Sequence, residues 1–159
     1  RGVGIAAATF GRVQDYQVKD INNMGAAMAP AAYATLTAHF QDTGRGPDYY
    51  DLIVTGDLGK LGRELLLELF RQDGVDLSTN HNDCGLMIFD LENQDVHCGG
   101  SGCGCSAAVL TGFLLNGMKQ GRWRRLLFCG TGALLSPTST LQGESIPSIC
   151  HAVAISTEQ

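Results

Sequence analysis

The sequence predicts an α/β domain built on a five-stranded, mixed but mostly parallel sheet, and three observations carry that prediction. Apolar runs of strand length recur along the chain, stretches of helix length separate the first four of them, and Gly, Asn and Asp clusters mark the junctions. The order reads β-α-β-α-β-α-β-β. Strands that alternate with helices need crossover connections and pair in parallel, whereas the last two strands, with no helix between them, pair antiparallel.

Residues 3–10 (VGIAAATF) are apolar with β-branched members and read as a buried first strand, followed by the polar, turn-forming 11–23. The alanine-rich run MGAAMAPAAYATLTAHFQDTG is a helix ending near Gly44. Pro30 suits a first helical turn, where its missing N–H costs nothing, so this helix is expected to start there rather than at Met24. DLIVTG (51–56) is the second strand. The following stretch, 57–74, places Leu58, Leu61, Leu65, Leu66, Leu69 and Phe70 on one helical face, with Asp57 as N-cap and Gly74 at C′. GLMIF (85–89) reads as the third strand, Cys103 to Met118 as the third helix, RLLFCG (125–130) as the fourth strand and ICHAVAIS (149–156) as the fifth.

The third helix carries the most architectural information. CSAAVLTGFLLNGM is small or apolar almost all round, with no charge before Lys119. An outer helix should show a polar stripe, so this one needs cover on both sides, and a five-stranded sheet can cover only one. A second layer, such as another copy of the unit, is expected across it.

At 159 residues the chain is one domain, long enough to bury roughly 70% of its unfolded surface. A net charge of −5 and the lack of a basic stripe exclude nucleic acid as the expected partner, and Arg122-Trp123-Arg124-Arg125 reads as a solvated turn. No apolar run is long enough to span a bilayer, and no signal peptide is recognised. The chain opens at Arg1 directly on a strand-like run, as a piece of a longer protein would. The six cysteines sit in apolar or Gly-rich surroundings and read as reduced thiols.

Several stretches could carry chemistry. Cys98, Cys103 and Cys105 have C-x4-C-x-C spacing, which matches neither a structural zinc site nor a plant-type iron–sulfur site, so no metal is expected. Cys103 or Cys105 at a helix start could be a nucleophile stabilised as thiolate, but no base follows at a recognisable offset, and a small buried thiol is the plainer reading. GGSGCGCSA lacks the pattern of a phosphate loop, although it can present N–H groups to an anion. Asp57 stands between a strand and a helix, where α/β folds place ligand sites, and CGTGALLSP (129–137) leaves a strand into a Gly-rich turn. His81 and His97 read as loop residues, His39 and His151 as structural ones, and Met24 and Met28 as packing residues.

These signposts, in their order, resemble the C-terminal half of a thiolase-fold protein. The blocks DYQVKDINNMGAAMAPAA, VTGDLGKLGRELL, NHNDCGLMIFD and GGSGCGCSA are more closely similar to the stage V sporulation protein AD family of spore-forming bacteria. The resemblance implies a half that stacks on a second, N-terminal half, with the third helix of each half buried between two sheets. It also implies a membrane-associated binder of dipicolinic acid that helps to move it, with calcium, into the developing spore. The implied location is peripheral, on the cytoplasmic face of the forespore inner membrane, beside other stage V membrane proteins.

Condensing relatives carry a His-Gln-Ala-Asn block after the second strand of this half and a catalytic asparagine before its third helix. Alignment on TGDLG and on Ser106 to Ala108 puts Gly56 and Gly59 at the first block and Gly104 at the asparagine. The resemblance therefore implies no condensing chemistry, no cofactor and no catalytic residue in this half. Expected ligand contacts are backbone donors at strand ends: Gly56 and Asp57; Gly102, Cys103, Gly104 and Cys105; and Gly130, Thr131 and Gly132. The open faces of a lone half imply self-association, or association with its own N-terminal half.

Overall fold

The computed structural model describes residues 2–158. Its strands are β1 (Gly4–Thr9), β2 (Leu52–Thr55), β3 (His81–Asp83), β4 (Arg125–Ala133) and β5 (Ser148–Ser156). The helices are α1 (Met24–Thr43), α2 (Gly59–Gln72), α3 (Cys84–Met87), α4 (Cys103–Val109), α5 (Leu115–Lys119) and α6 (Pro137–Leu141), with a π-helical turn over Leu110–Leu114 joining α4 to α5. The sheet runs β1-β5-β4-β2-β3. β4, β2 and β3 are mutually parallel, and β5 lies antiparallel to both of its neighbours. Four strands thus share one direction, and the chain adopts the expected α/β class and mixed sheet. The exception is the short helix α6, which lies between β4 and β5, where no helix was expected: Pro137 opens it and the Ser136 side chain accepts from the Ser139 N–H.

Each face of the sheet carries an apolar cluster. On one face Met28 and Leu36 of α1 and Leu66 and Phe70 of α2 pack on Ile53, Leu127, Cys129 and Cys150. On the other, Val109, Leu114 and Met118 of the α4–α5 run pack on Val54, Leu126 and Ile155.

Three expectations about single elements are corrected. GLMIF is not the third strand: β3 is the preceding His81–Asp83, paired in parallel with Ile53–Thr55, and Cys84–Met87 is a turn of helix. The Asp83 carboxylate accepts from the Gly85 N–H and starts that turn, so the apolar run coils around a junction instead of extending. Helix α1 starts at Met24, not Pro30. The Asn23 side chain accepts from the Ala26 N–H, and Pro30 is buried within the helix, where Ser148 Oγ donates to the Ala27 carbonyl at 2.6 Å. Leu61 and Leu65 of α2 are exposed, because its buried stripe is Leu58, Gly62, Leu66 and Phe70 at four-residue spacing. That stripe lets α2 cross α1 glycine on glycine: a Cβ on Gly25 would lie 2.8 Å from the Gly62 Cα.

The third helix is buried on one face only within this chain. Cys105, Val109, Leu114 and Met118 are covered, whereas Ala107, Ala108, Thr111, Gly112 and Phe113 are exposed. The cover expected on that side is no part of the chain. The helix ends do agree with the sequence reading: Gly44 and Gly74 adopt the left-handed conformation just past α1 and α2, at φ 64° and 76°.

Candidate functional site

The parallel strands β2 and β4 end where α2 and α4 begin, the place at which α/β sheets collect ligand groups. β4 runs past β2: its pairing with β2 stops at Thr55↔Cys129, while its pairing with β5 continues to Ala133↔Ser148. Gly130, Thr131 and Gly132 therefore lie beyond the end of β2, in the shelf under the α2 and α4 starts.

Asp57 ties this shelf together and is not the N-cap of α2, as its sequence position suggests. The Thr131 hydroxyl donates to Asp57 Oδ1 at 2.7 Å and accepts from the Asp57 N–H at 3.1 Å. The Gly102 N–H donates to Oδ2 at 2.8 Å. One carboxylate thus fixes the glycine loop before α4 to the strand end after β4. Capping of α2 falls instead to Asp83, whose oxygens accept from the N–H groups of Leu58 and Gly59, both at 2.9 Å. The same carboxylate accepts from Thr55 Oγ1 at 2.6 Å and from Gly85 N–H at 3.0 Å. Burial pushes the Asp83 carboxyl above its usual range, against the pull of those four donors.

Beside Asp83, the buried His81 donates through Nε2 to Thr55 Oγ1 at 3.2 Å, since that hydroxyl has given its proton to Asp83. Burial, with the nearby Arg63 charge, pulls His81 down to about 3. Arg63 holds the His81 carbonyl from its Nη2 at 2.8 Å. His81 is thus a core residue of the α2 junction and not a loop residue. His97 is exposed on its loop, with Nδ1 3.7 Å from Asp95 Oδ1.

Gly56 and Gly104 differ in the space around them. A Cβ at Gly56 would stand 2.8 Å from Thr131 Oγ1, 3.1 Å from Thr131 N and 3.4 Å from Ser106 Cβ, so that position is filled by its neighbours. A Cβ at Gly104 would meet nothing within 4 Å, and the same holds at Gly102. Cys103 is exposed at the start of α4. Cys105 is buried: its thiol faces the core beside Cys84, burial raises its pKa, and its N–H already donates to the Gly102 carbonyl at 3.1 Å. Of the predicted donors, Gly102 N–H and Cys105 N–H are therefore committed within the protein, and Gly130 and Gly132 are paired with His151 and Ile149 in the β4–β5 ladder, while the Cys103 and Gly104 end of the helix stays open.

A groove of about 220 Å³ adjoins this shelf, lined by Met24, Asp57, Gly59, Cys98, Gly99 and Ser101. A side chain at Gly59, which sits at φ 65°, would come within 2.8 Å of the Cys98 carbonyl, so glycine is required for the loop to close over α2. The groove alone falls short of the roughly 300–1,000 Å³ of ordinary small-molecule sites. Among the described residues, no three His, Cys, Asp or Glu side chains gather into a metal site, and no helix is long and apolar enough to cross a membrane.

Sequence reading singled out Asp57 and the glycine loops but missed Asp83 and the Thr131 hydroxyl as partners. The available signal was Asp83 itself, a carboxylate placed directly before the apolar run CGLMIF, where an Asp can cap a helical turn.

Among solved structures, a 3-oxoacyl-(acyl-carrier-protein) synthase III is similar at 15% identity, with a TM-score of 0.49 over 99% of this chain and 50% of that one. The 3-oxoacyl-[acyl-carrier-protein] synthase III from Aquifex aeolicus VF5 is similar at 14% identity, with a TM-score of 0.44 over 99% of this chain and 55% of that one. In sequence, the Stage V sporulation protein AD of Bacillus subtilis (strain 168) is 44% identical over 151 residues. That match covers 95% of this chain and 44% of the relative, so the chain spans less than half the length of the curated protein it matches. The family described as Stage V sporulation protein AD matches over residues 1–156. A match that spans nearly every residue, at this identity, means that the chain belongs to the Stage V sporulation protein AD family.

Proposed function

We propose that the chain is the C-terminal half of a non-catalytic thiolase-fold protein that binds dipicolinic acid and supports its calcium-linked uptake into the developing spore. The observation that carries the reading is a pair of glycines, Gly56 just past the end of β2 and Gly104 in the first turn of α4. At Gly56 the space that a catalytic side chain would need is taken by Thr131 and Ser106, and at Gly104 the surface is left open. Losing such preorganised groups costs a condensing enzyme roughly 10²–10³ in rate each. What remains is a helix start beside a strand end that carries no side chain at Gly130 or Gly132, suited to a flat aromatic dianion.

Asp57 would repel a bare dianion. Its two oxygens are each held by a neutral donor, and the described residues offer no metal cluster of their own. Calcium would therefore arrive with the ligand, as its chelate, and offset that charge. Under this reading the remaining contacts come from the N-terminal half. The protein sits peripherally on the cytoplasmic face of the forespore inner membrane, beside other stage V sporulation membrane proteins.

The second reading, an acyltransferase or condensing enzyme that forms a thioester, is favoured by one observation: Cys103 is exposed at the first residue of α4. Calorimetric titration with dipicolinate, on this chain and on the full-length protein, separates the possibilities. Binding to the full-length protein with weaker or no binding to the chain is expected. Binding to neither would remove the carrier reading and leave a scaffold for membrane partners. Alkylation of Cys103 by iodoacetamide near neutral pH, together with an acyl adduct from acyl-CoA, would favour the enzyme.

A further inference from the structure

We propose that His151 contacts the ligand of this same surface, as an oriented hydrogen-bond donor to a carboxylate of a planar aromatic acid; the proposal rests on the anion-binding reading above. His151 lies inside an apolar run, where sequence suggests a buried structural role, yet it is exposed. The reason is strand alternation. Cys150, Ala152 and Ala154 of β5 face the α1 cluster, while Val153 and Ile155 face the α4–α5 cluster and put His151 on their side.

In the antiparallel register His151 is directly opposite Gly130, and Ile149 opposite Gly132. Directly opposite residues have Cα atoms about 4.5–5.5 Å apart and share a face. A Cβ at Gly130 would meet nothing closer than 3.9 Å, and one at Gly132 nothing closer than 3.8 Å. The two glycines thus leave an open floor beside the imidazole. Thr131, between them, closes the Gly56 position together with Ser106 of α4. His151 is therefore one strand away from the start of α4.

The ring is held in one state. Its Nδ1 accepts the Gly11 N–H at 3.1 Å. A nitrogen that accepts carries no proton, so the neutral ring carries its proton at Nε2. The two ring nitrogens diverge, so Nε2–H points away from Gly11 and from the β1 side of β5, and no protein acceptor takes it among the described residues. The anchor is rigid as well. A side chain at Gly11 would collide with the Cys150 carbonyl, and Phe10 meets the imidazole edge-on at 6.0 Å and 74°. An exposed histidine with a fixed tautomer, a braced ring and a free donor over a glycine floor is built to meet an acceptor.

The test uses full-length protein with His151→Leu and His151→Gln, titrated with dipicolinate, and follows the imidazole ¹⁵N signals of His151 in the labelled wild type. The Leu variant is expected to bind about 10- to 100-fold more weakly, the loss of one bond to a charged acceptor. The Gln variant, whose amide can still donate, is expected to stay within about 3-fold. Both should keep their melting temperatures within about 2 °C, because the ring is exposed. Unchanged affinity in the Leu variant overturns the proposal, as does equal loss in both variants with a fall in melting temperature. If the wild type ignores dipicolinate, the carrier reading fails by itself. His151 is then judged by phthalate and inorganic phosphate: a shift of its Nε2 signal keeps it as an anion contact, and no response to any of the three anions overturns it.

Discussion

Asp83 takes up four donors from three segments, Thr55 of β2, Leu58 and Gly59 at the start of α2, and Gly85 of α3. Its neighbour His81 is neutral in the fold, with its pKa pulled down to about 3 from 6.5 by burial, and the buried His39 is shifted in the same direction for the same reason. An unfolded chain protonates these histidines below about pH 6.5, while the folded chain does not. The unfolded state therefore binds more protons in that window, and stability present above it is lost as pH falls toward about 3. Asp83 acts in the opposite sense. Its raised pKa makes the fold take a proton before the unfolded chain does, and this offsets part of the loss at the acid end. Urea denaturation is expected to show stability falling from pH 7 to pH 5, by up to about 1.4 kcal/mol per pH unit from His81 below 6.5. His81→Gln should flatten the profile. A profile that is level or rises toward acid would contradict the assignment. None of this was visible in the sequence, where His81 looked like a loop residue, because burial depends on what folds over a residue.

At the scale of elements, the crossing of α1 and α2 is set by two glycines and not by leucines. Gly25 and Gly62 let the backbones approach so closely that a Cβ on either would be 2.8 Å or less from the other's Cα. Gly25→Ala should therefore cost about 1–3 kcal/mol through overpacking, even though alanine is the better helix former. Thermal unfolding of the variant checks this, and a melting temperature at or above wild type would show that the helices can part without loss. The leucine spacing in 57–74 identified the helix correctly but chose the wrong stripe. Periodicity ranks faces by apolarity, whereas contact at this crossing selects for smallness. The third strand failed similarly. GLMIF has strand composition, but the carboxylate before it satisfies the N–H of Gly85, and a helical turn wins.

At the scale of the whole molecule, the chain leaves apolar surface uncovered. Phe113 is 43% exposed on the open face of the α4–α5 run, where Met87, Ile88, Ala108, Val109 and Gly112 line a shallow apolar cavity of about 230 Å³ beside it. At one edge of the sheet, Ile5 of β1 is 75% exposed. Soluble monomers rarely keep open faces of this kind. Light scattering of the isolated chain is expected to show dimers or larger species, and co-expression with the rest of the protein should convert them to a stoichiometric complex. A clean monomer with ordinary thermal stability would contradict the expectation.

The local signals in the chain were enough for the class, the alternation of the main strands and helices, the C-terminal ends of α1 and α2, and the position of the glycine loops. Each of these follows from composition, spacing or a residue's own backbone preference. The family was legible too, because four long blocks of sequence carried it. The tertiary structure decided which carboxylate caps α2, which thiol is accessible, which glycine is closed and which open, and that His151 faces outward. Those outcomes depend on contacts between residues such as Asp57 and Thr131, 74 positions apart. Sequence spacing carries no record of such distances, and only packing brings the groups together.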